Sequence, residues 1–262
     1  MSQIVLEIDG PIGIVTLNNA EKHNAFDELL IAELTAAFIA LDANSAVRVI
    51  ILSALGKSFS AGADLTWMKR MANYSPEENR RDATALGDMM RTLHGVSKPT
   101  IARVQGAAYG GGVGLVACCD IAIGTHNAAF SLSEVKLGLI PAVISPYVIS
   151  AIGKRSAQRY FLTAERFDAA EAFRIGLLHE LSANEDDMDE KINAMCDALL
   201  LGGPGAQREA KSLVQAVASR RIDHTVIADT VQRIAHTRAS VEGREGLAAF
   251  LEKRKPGWIV ES

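Results

Sequence analysis

Apolar and polar positions alternate in short bursts through the first half of the chain and settle into helical spacing in the second. Ile12–Asn18, IGIVTLN, is rich in β-branched residues and runs into polar turn residues, which predicts a strand. Leu30, Leu34, Phe38 and Leu41 then recur at near-helical intervals and predict a helix. The run Val47–Ala54, VRVIILSA, reads as a buried strand, followed by a Gly-containing turn and SFSAGADL. A second helical stretch is predicted from Pro76 to Val96. PTIARVQGAA reads as a strand, the glycine run behind it as the start of a short helix, and DIAIGT as a further strand.

After Pro141 the spacing is helical almost throughout. ISAIGKRSAQRYFLTAE, DAAEAFRIG, MDEKINAMCDALLLGG, GAQREAKSLVQAVAS and HTVIADTVQRIAHTRAS are all amphipathic, and GREGLAAFLEKRKPGW closes the chain with a basic, aromatic tail. The pattern is that of an α/β protein built from repeated ββα units and followed by a helical region. No low-complexity linker separates the two parts, so intimate packing is expected.

Composition narrows the function classes. A chain of 262 residues with 48% hydrophobic and 22% charged residues is long enough to bury a substantial core. A net charge of −4 and a pI near 5.9 argue against nucleic acid as the main partner. Three cysteines, two of them adjacent at Cys118 and Cys119, give neither a disulfide framework nor a metal-ligand spacing. They read as small core residues. The opening MSQIVLEIDGPIG lacks the basic and apolar regions of a signal peptide, and no apolar run is long enough to span a bilayer. The expectation is a soluble cytoplasmic protein with no membrane partner.

Candidate chemistry concentrates at the glycines. Gly110, Gly111, Gly112 and Gly114 stand between a predicted strand and a predicted helix. Glycines there let backbone N–H groups approach a ligand, and the helix start adds its positive dipole end. Such a place suits a phosphate or an oxyanion formed during reaction. The spacing is not that of a dinucleotide fingerprint, and the Lys-Ser/Thr of a P-loop is absent. The plain alternative is glycines that permit tight helix–strand packing. FSAGADL, Phe59–Leu65, is a second small-residue strand end of the same kind. Two such ends together could each direct one N–H at a single oxygen, as an oxyanion hole requires.

The segments EKHNAF, SFSAGADL, KPTIARVQGAAYGGGVGLVACCDI, FSLSEVKLGLIP and AFLEKRKPGW, in this order and spacing, resemble the enoyl-CoA hydratase/isomerase (crotonase) family over nearly the whole chain. The resemblance implies a crotonase-like ββα superhelix over residues 1–200, carrying the CoA and catalytic sites. It further implies a helical C-terminal trimerisation region over residues 201–262 that also closes over CoA. The assembly implied is a homotrimer or a dimer of trimers, and the substrate an acyl-CoA thioester processed through an enolate. CoA is then part of the substrate, and no separate cofactor or metal is expected.

Carried onto this chain, the two oxyanion donors are the N–H groups of Ala63 and Gly111. The hydratases of the family use two glutamates twenty residues apart. Glu134 occupies the second position, whereas the first is Gly114, so the pair is incomplete. A carboxyl beside an apolar acyl chain has a raised pKa suited to proton transfer; the plain alternative for Glu134 is a surface pairing with Lys136. Gly114 is expected to leave room for a water or a substrate branch. The CoA contacts implied are Lys22, Ala61, Ala63, Asp64, Leu65 and Gly111. Phe250 and Lys253 match positions that reach a neighbouring subunit's CoA. Asp64 either helps hold the adenine or structures its loop. None of the six histidines falls in these motifs.

One stretch departs from the family pattern. After LGLIP the chain reads AVISPYV, and Val143, Ile144 and the Ser145-Pro146-Tyr147 turn should reshape the acyl end of the pocket. This stretch, with GGGVGLVACC, is most similar to bacterial hydratases of branched, carboxylated enoyl-CoAs of the 3-methylglutaconyl-CoA and isohexenylglutaconyl-CoA type, found in leucine and acyclic terpene breakdown. The sequence therefore implies a hydro-lyase for such a substrate. The alternatives are a double-bond isomerase working with one glutamate and an RNA-binding relative, the latter against the acidic pI and the missing basic stripe.

Overall fold

The structure, a computed structural model, describes residues 2–259. The last three residues of the expected helical region, 260–262, lie outside it. The elements are β1 (Ile4–Asp9), β2 (Ile12–Leu17), α1 (Glu28–Ala43), β3 (Val49–Ala54), β4 (Ser58–Ala61), α2 (Leu65–Met71) and α3 (Pro76–Gly95). Then follow β5 (Thr100–Val104), β6 (Ala107–Tyr109), α4 (Gly111–Cys118), β7 (Ile121–Thr125), β8 (Ala129–Ser131), α5 (Ser145–Thr163), β9 (Phe167–Asp168) and α6 (Ala169–Arg174). The chain closes with β10 (Glu180–Ser182), α7 (Glu185–Leu201), α8 (Pro204–Val217), α9 (His224–Ala239) and α10 (Val241–Glu252).

The repeated unit is explicit in the sheet order. β3, β5 and β7 pair in parallel within a six-stranded sheet of order β1-β2-β3-β5-β7-β10, while β4, β6 and β8 pair in parallel within a four-stranded sheet of order β4-β6-β8-β9. Each strand pair thus lays its first strand on one sheet and its second on the other, and a helix follows, which is the mixed α/β superhelix expected. Side chains alternate across a strand, so β3, buried at all six positions, feeds two cores. Ile50 and Leu52 join the large core with Phe38, Phe59 and Phe130. Val49 and Ile51 join Ile101 and Ile123 under Met188 and Ile192 of α7.

Local signals explain the helix ends. Asp27 caps α1 by accepting the Leu30 N–H, and Ser75 with Glu78 forms a capping box ahead of α3. Other expectations need correction. PTIARVQGAA is two strands, because Gln105-Gly106 carries the chain from one sheet to the other. The segment after Pro141 also contains β9 and β10, the latter parallel to β7; three residues are too few to show a period. ISAIGKRSAQRYFLTAE is broken at Gly153, whose φ is +73°. β1, IVLEID, pairs antiparallel with β2.

α8 is tied to the core by polar contacts. Lys211 donates to Asp120 at 2.7 Å and to the Lys98 carbonyl at 3.2 Å. Arg48 donates to the Gly202 carbonyl just ahead of α8 at 2.6 Å. Among the described residues no helix is long and apolar enough to cross a membrane.

Candidate active site

β4, β6 and β8 lie side by side, with Ala61 level with Tyr109 and Tyr109 level with Ser131. Just beyond that level, at the carboxyl ends of the three strands, come Ala63, Gly111 and Glu134. Parallel sheets gather their ligand-binding groups at this end. The topology therefore brings together three residues that are far apart in sequence.

Ala63 and Gly111 each follow a glycine in the left-handed region, Gly62 at φ +90° and Gly110 at φ +51°. Only glycine takes such a bend without strain, and the bend ends the strand and redirects the next N–H. Phe26 fixes the loop that carries Ala63. Its N–H donates to the Gly62 carbonyl at 2.7 Å and its carbonyl accepts from Asp64 N–H at 2.8 Å. In that bridge the N–H of Ala63 faces away from Phe26. On the second strand, Gly110 N–H donates to Ser131 at 2.9 Å. The first bonds within α4 run from Val113 and Gly114 to the Gly110 carbonyl, at 3.0 and 3.2 Å. The N–H of Gly111 precedes them and is available at the positive end of the helix.

Glu134 opens a short 3₁₀ turn, Glu134–Leu137, and is half-buried. Its Oε1 lies 3.2 Å from the point where a Gly110 side chain would begin, so the carboxyl stands over the residue next to the Gly111 donor. Oε2 is buried with no hydrogen-bond partner among the described residues. Burial pushes the carboxyl above its ordinary range, outweighing a hydrogen bond from its own backbone. A surface pairing with Lys136 does not occur; the ion pairs formed among the described residues leave Glu134 out.

The raised value has a consequence for stability. The folded state binds this proton more tightly than the unfolded chain does. Stability is therefore lost as pH rises from the ordinary carboxylate range through the raised folded value. Glu134→Gln removes the penalty, so the variant should melt higher than the parent at neutral pH and converge with it in acid. Thermal melts across that pH range check this.

Lys22 and Asp64 meet at 3.0 Å. Asp64 also accepts from Thr66 and Trp67 N–H at 2.8 and 3.0 Å and so caps α2. The Lys22 hydrogen bond and then the Trp67 amide hold its carboxyl below the ordinary range. Of the two roles expected for Asp64, the structure shows the loop-building one. Ala61 ends β4, its N–H bonded to the His23 carbonyl at 3.0 Å, and Leu65 begins α2 with 74% of its surface exposed. Lys22, Ala61, Asp64 and Leu65 thus form one rim beside the Ala63 donor. Phe250 and Lys253 do not join them: Phe250 lies on α10, which packs on α8 and α9, Lys253 caps that helix's C-terminus, and Phe250 is 80% exposed.

The expectation for Gly114 is overturned. Gly114 is buried, and a Cβ there would overlap the Ile144 Cγ2 methyl and stand 2.9 Å from Met90 Cε. The position leaves no room for a water or a substrate branch, because Ile144 and Met90 fill it. The three cysteines are buried and free, as core residues, and burial pushes the Cys119 thiol up to about 12.

The family model for enoyl-CoA hydratase/isomerase matches residues 7–260. The chain belongs to the enoyl-CoA hydratase/isomerase family. It is 31% identical to a crotonyl-CoA hydratase of Syntrophomonas wolfei, over 98% of this chain and 97% of that one. A crystal structure of an enoyl-CoA hydratase from Shewanella pealeana is 45% identical with a TM-score of 0.95, covering 98% of this chain and 96% of that one. An enoyl-CoA hydratase/isomerase from Marinobacter aquaeolei is 32% identical with a TM-score of 0.91, over 98% and 99%.

Two further residues shape this candidate site without a role assigned from the motifs. Phe26 bridges the Ala63 loop and also lies beneath α4, where a Cβ on Gly111 would come within 2.9 Å of its ring. Asn24, fully buried, donates to the Leu55 and Ser58 carbonyls at 2.9 and 3.0 Å and holds the turn ahead of Phe26. Both lie in EKHNAF, so the signal was present as a motif without a mechanism.

Gly110→Ala is expected to cost about 10²–10³-fold in kcat on an enoyl-CoA, comparable to losing one oxyanion donor. The new side chain strains the bend that aims Gly111 and presses on Glu134. Steady-state kinetics beside a thermal melt separate that loss from unfolding.

Proposed function

We propose that the protein is a hydro-lyase that adds water reversibly across the α,β double bond of a branched, carboxylated enoyl-CoA of the 3-methylglutaconyl type. The observation that carries the reading is Glu134, a half-buried carboxyl with an unpartnered oxygen, standing over Gly110 beside the Gly111 amide. The thioester oxygen accepts hydrogen bonds from Ala63 and Gly111. Ionised Glu134 takes a proton from water as the water oxygen bonds to Cβ, and the π electrons move onto the thioester oxygen as an enolate. The carboxyl then returns a proton to Cα and the carbonyl re-forms. Hydratase relatives such as that of Syntrophomonas wolfei support the reaction type. The AVISPY segment, whose Ile144 walls the site, supports the branched substrate.

The filled position at Gly114 favours a second reading, an isomerase in which Glu134 takes a proton from one carbon and returns it to another. Product mass on a panel of enoyl-CoAs decides, since hydration adds the mass of water and isomerisation adds nothing. A kcat/KM higher for crotonyl-CoA than for 3-methylglutaconyl-CoA overturns the substrate assignment.

Lys22, Ala61, Asp64 and Leu65 form the CoA rim in this reading. The region 201–262 assembles cytoplasmic homotrimers or pairs of trimers and closes over CoA. Val241, Phe250 and Leu251 support this, being 88%, 80% and 77% exposed and suited to burial against a neighbour. Lys253→Ala should weaken CoA esters more than the matching pantetheine esters, which lack the nucleotide phosphates. Equal weakening, measured as KM for each pair, places Lys253 away from the nucleotide.

A further inference from the structure

Residues three apart share a helix face, so the strip of α4 that starts at the Gly111 donor continues to Gly114 and then to Ala117. Along that strip the surroundings change in order. Glu134 stands over the start. Ile144 and Met90, 3% and 0% exposed, close on Gly114. At Ala117 a cavity of about 430 Å³ opens, lined also by His94, Tyr147, Ser150 and His179. Ile144 forms this closure with Met90, and Tyr147, three residues on in α5, lines the cavity beyond it.

The closure is built. The Ser145 N–H and hydroxyl both donate to the Ala142 carbonyl, at 3.2 and 2.7 Å, and the Ala142 N–H donates to the Ile140 carbonyl at 2.8 Å. These bonds fix the turn that carries Ile144. On α3, Met90 and Gly87 share a face, and Val143 lies 3.8 Å from where a Gly87 side chain would begin. In the proposed reading, where Lys22 and Asp64 form the CoA rim, the thioester enters from that rim and the acyl chain runs from Gly111 along α4 towards Gly114.

We infer that Ile144, backed by Met90, is a stopper that ends the acyl pocket at Gly114, shuts the chain out of the cavity at Ala117 and restricts the enzyme to short acyl groups. The inference rests on the reading of Ala63, Gly111 and Glu134 as the enolate site. It selects the shorter of the two carboxylated substrates that the sequence suggests.

The test measures dissociation constants for butyryl-, hexanoyl-, octanoyl- and decanoyl-CoA, with kcat/KM for the matching 2-enoyl esters. The parent protein should lose at least about ten-fold in affinity between hexanoyl and decanoyl, the scale on which a pocket rejects excess methylenes. Ile144→Ala and Met90→Ala open the same gap from opposite sides. Either one, folded by circular dichroism, should raise the ratio of decanoyl to butyryl affinity by about ten-fold or more. Parent affinity that stays level with chain length overturns the stopper, as does an unchanged length profile in both variants. Binding that follows the expected profile without turnover of any ester overturns the role of Glu134 and supports that of Ile144. No binding of any ester overturns both.

Discussion

Glu134→Gln is expected to lower kcat by about 10²–10⁴-fold while leaving the affinity for CoA esters within a few-fold, the range over which a positioned acid–base group contributes. In the proposed mechanism the carboxyl is the proton-transfer group that the strand ends bring to the two amides, and the substitution keeps its shape while removing its charge. The residual rate belongs to the backbone donors, which the substitution leaves in place. Because burial raises the carboxyl, kcat/KM of the parent should climb with pH through a value above the ordinary glutamate range. The limb should vanish in the variant. Turnover that survives undiminished removes Glu134 from the mechanism.

Gly114→Glu carries the largest expected loss of stability. A side chain there meets Ile144 and Met90 at once, in a core with no gap to absorb it. Overpacking alone typically costs about 1–3 kcal/mol, and an unpaired buried carboxyl adds to that. A glutamate there completes the family's two-glutamate pattern in sequence, yet with Ile144 and Met90 in its place the expected result is a poorly folded protein with little activity on any substrate. Ile144→Ala in the same chain should restore part of the loss, with a coupling of about 0.5–3 kcal/mol for residues in contact. Denaturant unfolding of the single and double variants measures it, and strict additivity contradicts the packing described.

The sequence displays some layers of this protein plainly. Apolar spacing locates α1 and α3 because long amphipathic helices repeat their signal several times. The two proposed donor positions stand out in the sequence as small residues at strand ends. Glu134 is legible through its motif, while its burial and its unpartnered oxygen depend on the turn that follows β8. The six- and four-stranded sheets are not legible, since the crossing at Gln105-Gly106 looks like one continuous strand.

Gly114 shows why the rest was hidden. A glycine in a sequence records the absence of a side chain and says nothing about what occupies the space. Here the occupant comes from Ile144, thirty positions on, and from Met90 on another helix. The sequence identifies Ile144 as a residue that reshapes the acyl end, but only the packing of α3, α4 and α5 shows which atom it touches. Phe26 is similar: its place in EKHNAF is visible, yet its double role depends on the β4 and β6 ends lying together.

In the proposed mechanism one carboxyl, on one side of the substrate, performs both proton transfers while two backbone amides hold the enolate. Hydration in D₂O tests it most directly, with the product analysed by NMR. Glu134 and the apolar Ile144 wall together require one deuterium at Cα, on the same face as the new hydroxyl, and no such product from Glu134→Gln. Deuterium on the opposite face, or the same labelled product at the parent rate from Glu134→Gln, contradicts the account.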